Sequence, residues 1–215
     1  MEDLSNYKPT SADEFVGESP RRWATILENK VRKMKESRTG IIKALIIGEP
    51  GVGKTCMAEH AARELAASPF AIRETNGADV NAELVREMMS EYHCVSMFSD
   101  FRVWIINEID SMKRTAQDLM LSFLDKLPDC YAVIGTSNFD TSDITERFQS
   151  RFQQMKVKQP TEQEVSKGLQ RIVAQYTGLS IPSEVTDAIS KCTKGNVRAS
   201  LLDAQSWLDS FPPEK

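Results

Sequence analysis

Residues 48–55 read Gly48-Glu49-Pro50-Gly51-Val52-Gly53-Lys54-Thr55, a G-x-x-x-x-G-K-T spacing. An apolar run, Ile42 to Ile47, leads into it, and a helix-forming run from Cys56 to Ala67 follows. Strand, glycine-rich loop and helix in that order form the context in which such a loop cradles phosphate. The glycines let successive N–H groups curl inward, and the positive end of the new helix joins them. Lys54 then reaches the terminal phosphates, and the Thr55 hydroxyl becomes a Mg²⁺ ligand. A plain turn between strand and helix would need neither of those side chains. The loop, with Cys56 at the head of its helix, implies a bound nucleoside triphosphate.

A second group ends another apolar run: Val103-Trp104-Ile105-Ile106 leads into Asn107-Glu108. Strand ends are where α/β proteins place ligand-contacting groups. Beside a phosphate-binding loop this resembles a Walker B element, whose usual ending is Asp-Glu. Glu108 is then the base, or the orienting group, for water attacking the γ-phosphate. Asn107 departs from that pattern. An Asp backs the Mg²⁺ site with a full negative charge, whereas Asn keeps the acceptor oxygen and the shape alone. Weaker metal affinity and slower turnover are expected. Asp110 lies beyond the strand end and is not assigned the missing role.

The bulk of the chain is ordinary. Its 215 residues, 40% hydrophobic and 27% charged, suit one α/β domain with a small appendage. No apolar run approaches the length of a membrane span, and the acidic start Met1-Glu2-Asp3 does not read as a signal peptide, so a cytoplasmic protein without membrane contact is expected. Cys56, Cys94, Cys130 and Cys192 are scattered, and neither His60 nor His93 completes a metal-ligand spacing. Reduced structural thiols follow. The net charge of −4 argues against a generally basic nucleic-acid binder. Residues 20–38 nevertheless concentrate Arg21, Arg22, Lys30, Arg32, Lys33, Lys35 and Arg38, which suits a solvated helix face or phosphate contact equally.

The elements that must position these groups can be read from periodicity. Ser19-Pro20 opens a helix carrying Trp23, Ile26, Leu27, Val31 and Met34 at helical spacing, and Thr39-Gly40 ends it. Strands are expected at Ile41–Ile47, Phe70–Thr75, Phe101–Ile106 and Tyr131–Gly135, with a weak fifth at Met155–Val157. Helices are expected at 80–93 and along the Ala116–Leu127 stripe. Strands alternating with helices imply a parallel sheet with right-handed crossovers. Past Gln159-Pro160 the strands stop and three helical patterns follow, around Val165–Val173, Val185–Ile189 and Val197–Leu208. The division expected is residues 1–159 and 160–215.

Asn107-Glu108-Ile109-Asp110-Ser111-Met112, followed by Ala116-Gln117, resembles the Walker B region of clamp-loader ATPases of the AAA+ superfamily, especially the small subunits of replication factor C, whose version runs D-E-A-D-S-M and then A-Q. The likeness extends over most of the chain. Tyr7-Lys8-Pro9 and Asp13-Glu14-Phe15-Val16-Gly17 resemble N-terminal elements that surround the adenine, which implies Tyr7, Pro9, Val16 and Gly17 there. Asn76-Gly77-Ala78-Asp79 resembles the N-A-S-D turn, where Asn76 is the polar switch that can hold the catalytic Glu. Thr136-Ser137-Asn138 resembles sensor 1, with Asn138 reaching the γ-phosphate. Gln149-Ser150-Arg151-Phe152 resembles the Q-S-R-C element, whose Arg acts on the neighbouring subunit's ATP; Arg151 is the implied arginine finger and Arg147 a second candidate. Gly195-Asn196-Val197-Arg198 resembles sensor 2, with Arg198 contacting the γ-phosphate of its own subunit.

The resemblance implies a P-loop NTPase core with a parallel five-stranded sheet and a small three-helix lid. It also implies ATP and Mg²⁺ as cofactors, AAA+ neighbour subunits as partners, and a sliding clamp and DNA as further ones. Clamp-loader subunits continue into a C-terminal collar, whereas this sequence runs to Phe211-Pro212-Pro213-Glu214-Lys215, which fits either a truncated chain or a compact relative that assembles through AAA+ contacts and partner chains. Three functions fit: a replication or repair motor subunit, an AAA+ remodeller of a protein client, and a nucleotide-binding scaffold that hydrolyses little because of Asn107.

Overall fold

Strands buried on both faces have no solvated side to make polar, so they read as continuous apolar runs. β1 (Ile41–Gly48) is buried from Ala44 onward, β3 (Arg102–Asn107) from Val103 to Ile106, and β4 (Tyr131–Ser137) throughout. β2 (Ile72–Asn76) and β5 (Gln153–Val157) keep exposed positions, as edge strands do. In the computed structural model, which describes residues 3–66, 68–91, 99–138 and 142–210, these strands form a five-stranded sheet ordered β2-β3-β4-β1-β5. The pairs β1/β4, β4/β3 and β3/β2 are parallel.

Helices connect the strands: α1 (Glu18–Ser37), α2 (Lys54–Leu65), α3 (Ala82–Ser90), α4 (Arg114–Asp125) and the short α5 (Glu146–Gln149). The α4 stripe read from the sequence packs as core. Ala116, Met120, Phe123 and Leu124 are buried with Leu45, Trp104, Val133 and Phe148. Among the described residues no helix is long and apolar enough to cross a membrane.

The chain divides into two compact units, one of Ile26–Gly48 and Lys54–Lys156, the other of Met1–Thr25, Glu49–Gly53 and Val157–Lys215. The first holds nearly the whole sheet. The second is built on α6 (Glu162–Thr177), α7 (Ser183–Thr193) and α8 (Val197–Asp209). Thr161 and Glu164 open α6 with a reciprocal capping box. Leu4 and Val16 are buried with Leu169, Ile172, Val173 and Leu201. Gly168 lets Val16 in: a Cβ there would lie 2.8 Å from both of its γ carbons. The first 25 residues thus group with the three helices, whereas the sequence division at Pro160 keeps them with the sheet.

Local differences from the sequence reading have local causes. The strand expected from Phe70 begins at Ile72, because Ser68 caps a 3-10 turn with Pro69 in its first positions and accepts the Phe70 N–H. Phe70 is left 79% exposed. The helix expected over 80–93 starts at Ala82, since Asn81 caps it by accepting from Glu83 and Leu84 N–H. Its last expected residues, like His93, Cys94 and Ala67, lie outside the described residues.

Truncating Phe123, which is fully buried on α4, is expected to cost about 3–5 kcal/mol. Leu119→Ala on the same helix, where the side chain is 42% exposed, should cost at most about 0.5 kcal/mol. Urea unfolding midpoints of the two variants check the contrast.

Candidate functional site

Parallel pairing sets where the polar ends fall. Ile47 lies opposite Ser137, Gly135 opposite Ile106, and Asn107 opposite Asn76. The C-terminal ends of β1, β4, β3 and β2 therefore sit side by side on one edge, with Gly48, Asn138, Asn107 and Asn76 at or just beyond them. Lys54, the first residue of α2, donates to the Gly48 carbonyl at 2.7 Å and to Asn138 Oδ1 at 3.3 Å. Asn138 Nδ2 donates in turn to Asp110 Oδ2 at 3.4 Å, and Asp110 Oδ1 is buried with no hydrogen-bond partner. The carboxylate not assigned the role of Asn107 thus contacts the implied sensor 1 side chain.

Thr55 Oγ1 donates to Asn107 Oδ1 at 3.3 Å. Thr136 Oγ1 donates to the same oxygen at 3.1 Å, and Asn107 Nδ2 donates to Glu74 Oε1 at 2.6 Å. Hydroxyl and amide oxygens are donors that a hard divalent cation accepts. The residues implied for the metal, Thr55 and Asn107, therefore fit one chemically. The pair carries no formal charge of its own, and the carboxylate bonded to it belongs to Glu74. No sequence motif singles Glu74 out. Its one signal is the strand period of two, which places it on the same face of β2 as Asn76.

Glu108 occupies a left-handed backbone conformation, with φ 49° and ψ 51°. Such a conformation costs a non-glycine residue roughly 1–2 kcal/mol. Its N–H donates to Thr136 Oγ1 at 3.2 Å, and its carbonyl accepts from Ser111 N–H at 2.8 Å and Ser111 Oγ at 2.6 Å. Gly77 permits the close approach, because a Cβ there would overlap the Glu108 carbonyl. The Glu108 side chain is exposed. Asn76 caps its own turn, its Oδ1 accepting from Ala78 N–H at 3.0 Å and lying 3.4 Å from Ser111 Oγ. Asn76 and the Glu108 backbone meet through Ser111, not through the Glu108 carboxylate.

The second unit holds most of the other implied site residues. Gly51 and Gly53 have φ of 82° and 93°, open to glycine at little cost. Gly51 lies against the start of α8: its carbonyl accepts from Arg198 N–H at 3.4 Å, and a Cβ on Gly51 would overlap the Asn196 side chain. Asn196 is the α8 cap, accepting from Ala199 N–H. The middle of the phosphate-binding loop and the helix carrying Arg198 are therefore locked together, with the Arg198 side chain exposed at least in part. Tyr7 OH donates to the Glu14 carbonyl at 3.3 Å, and its ring meets Tyr176 edge-on at 5.8 Å. Pro9 and Val16 are buried, and Gly17, at φ 96°, packs on Pro160. Glu49, Pro50 and Val52 complete the loop in this unit, with Val52 buried. Cys56 follows in α2, partly buried.

Arg151 is not among these groups. Its Nε and Nη2 bind the Asp125 carboxylate at 2.9 and 3.2 Å, and Nη1 donates to Ser150 Oγ at 3.1 Å. This fork-on-carboxylate geometry holds the guanidinium against the end of α4. Arg147 is exposed one helical turn earlier.

Comparison with known proteins supplies the setting. The model of the ATPase family associated with various cellular activities (AAA) matches residues 44–159. Replication factor C subunit 4 of Encephalitozoon cuniculi is 27% identical over 96% of this chain and 65% of its own length. Replication factor C small subunit 2 of Pyrobaculum arsenaticum is 28% identical over 92% of this chain and 60% of its own. The chain thus spans under two thirds of the length of these curated relatives. The solved structure of the Thermotoga maritima RuvB Holliday junction branch migration motor has a TM-score of 0.75 at 19% identity, covering 96% of this chain and 66% of that one. That likeness bears on the fold alone.

The hydrogen bond and charge of Arg151 hold the Asp125 carboxyl below its ordinary value of 3.8. A lowered folded value means that the pair's stabilisation is present above 3.8 and is lost as pH falls through the folded midpoint. Titration of Asp125 followed by NMR is expected to give a midpoint below 3.8, moving upward in Arg151→Ala. An unchanged midpoint in that variant would show that the pair does not persist in solution.

Proposed function

The chain belongs to the ATPase family associated with various cellular activities, and from that premise we propose that it binds Mg²⁺–ATP on the Gly48–Thr55 loop and hydrolyses it within a clamp-loader-like oligomer. The observation that carries the reading is the shared strand edge on which Lys54 contacts Asn138 and Thr55 contacts Asn107. Loop amides and Lys54 take the phosphates, while Thr55 and Asn107 hold the cation. Bound Mg²⁺ would neutralise charge developing on the phosphoryl oxygens. Glu108 orients or deprotonates the attacking water, with Asn138 on the γ-phosphate and Asn76 beside the Glu108 turn. Arg198 reaches the phosphates of its own subunit. Tyr7, Pro9, Val16 and Gly17 form the adenine side.

Arg151 serves the neighbouring subunit in this reading, and its bond to Asp125 is exchanged for phosphate on assembly. Similarity to replication factor C subunits supports AAA+ neighbours, a sliding clamp and DNA as partners. On α1, Arg21 donates to the Phe15 carbonyl, Arg32 to Asn29 Oδ1 and Lys35 to the Glu64 carbonyl, which leaves Arg22, Lys30 and Lys33 as the better phosphate contacts. A second reading has one observation behind it. The neutral Asn107 favours a subunit that binds nucleotide and turns it over slowly.

Lys54→Ala is expected to weaken ATP binding roughly tenfold or more, the scale of losing one charge-assisted hydrogen bond. Glu108→Gln should retain binding and lower turnover by about 10²–10⁴-fold. Equilibrium binding and phosphate release measured on the assembled oligomer check both, and wild-type turnover no faster than Glu108→Gln would favour the slow-turnover reading. For DNA, changing Arg22, Lys30 and Lys33 to Ala should weaken primed-duplex binding and flatten its salt dependence by about one unit of slope for each phosphate no longer neutralised. Unchanged affinity and slope would remove α1 from the interface.

A further inference from the structure

Asn107 poses a problem that an Asp would not. Both oxygens of a carboxylate can face a cation, but an amide offers one oxygen and, after a half turn, two N–H donors instead. A neutral ligand is useful here only if something fixes that choice. Three contacts do so. Glu74 Oε1 lies 2.6 Å from Asn107 Nδ2, and an ionised carboxylate accepts only, so the amide nitrogen must face it. Thr136 Oγ1 accepts the Glu108 N–H and donates to Asn107 Oδ1. Thr55 Oγ1 donates to the same oxygen.

The parallel register makes the first contact possible. Asn76 pairs with Asn107, and Glu74 precedes Asn76 by one strand period on the same face. Glu74 is exposed and its carboxylate is not required by the core. It is bonded to the amide that stands where the Walker B pattern has an acid.

We propose that Glu74 is the positioning residue for the cation end of this site: it pins the Asn107 amide with Oδ1 toward Thr55 and sets, one hydrogen bond away, the negative charge that Asn107 lacks. The inference rests on the Mg²⁺–nucleotide reading above. It also carries a dependence on Asn107 that a simple acidic neighbour would not. With Asp at position 107 there is no N–H for Glu74 to accept, and the two carboxylates repel. A bound cation relieves that repulsion, so Glu74 then acts through its charge alone, and removing it costs less cation binding than in the Asn107 protein.

The test is equilibrium binding of a fluorescent ATP analogue to the full chain, in Mg²⁺ and in EDTA. The ratio of the two affinities reads the cation's contribution and separates it from folding and from the phosphate contacts of Lys54. Glu74→Ala is expected to reduce the Mg²⁺ enhancement about tenfold or more, the usual scale for removing an outer-shell partner. Glu74→Gln, which keeps an acceptor and the side-chain shape, is expected to lose less, and it repeats the test if the Ala variant folds poorly. In the Asn107→Asp background, where only the charge of Glu74 acts, Glu74→Ala is expected to reduce the enhancement by clearly less than in the Asn107 protein. An equal loss in both backgrounds would overturn the positioning role, and so would an enhancement indifferent to Glu74 in the Asn107 protein. A wild-type chain that binds no nucleotide in either buffer would overturn the functional reading and this inference together, an outcome distinct from nucleotide binding that ignores Glu74.

Discussion

Parallel strands that begin in register also end in register, and that constraint places every polar group of the sheet-borne half-site. The interiors of β1, β3 and β4 are largely buried on both faces and carry apolar side chains almost throughout, Lys43 being the exception, whose Nζ reaches the Leu124 carbonyl. Polar residues are pushed to the ends, where the backbone ladder stops and side chains must satisfy one another. They do so in two chains of hydrogen bonds, Lys54 to Asn138 to Asp110, and Glu108 N–H to Thr136 to Asn107. The chemistry lies at the edge because the core cannot accept it.

Much of this is legible in the sequence for a physical reason. A phosphate-binding loop works through local backbone, so Gly48 to Thr55 can be read without knowing what lies nearby in space. Buried strands and the α4 stripe are likewise local patterns of apolar residues, and those patterns track the observed core. Pairings between distant segments leave no such trace. Leu4 and Val16 lie in a largely polar stretch without periodicity, yet both are buried among the helices of the second unit. Asp125 and Arg151 form no sequence motif together, although their side chains make a two-point contact. Glu74 is visible as a residue and not as a partner, because its significance depends on the β2/β3 register. The strand containing it reads as starting at Phe70, a start that the Ser68 cap displaces.

Electrostatics separates the two carboxylates near the strand edge. Asp110 follows Glu108 closely in sequence and is the obvious substitute for a missing acid, yet its side chain contacts Asn138. Glu74 comes from a neighbouring strand and contacts Asn107 directly. Proximity along the chain is therefore a poor guide to which charge serves which ligand.

Thr136 ties the two proposed functions of this edge to one hydroxyl. It accepts the Glu108 N–H and thereby supports a left-handed residue whose side chain is exposed, and it donates to Asn107 Oδ1 and thereby supports the amide's orientation. The strain at Glu108 is held from three sides, by Thr136, by Ser111 and by the space that Gly77 leaves. A residue kept in an unfavourable conformation by surrounding contacts is fixed in direction more tightly than one in a broad energy well. For Glu108 that means a carboxylate whose backbone origin is set by the same network that orients the Asn107 amide. Displacing one end of the network must therefore disturb the other, and the proposed catalytic carboxylate and the proposed cation site are coupled through a single side chain of β4.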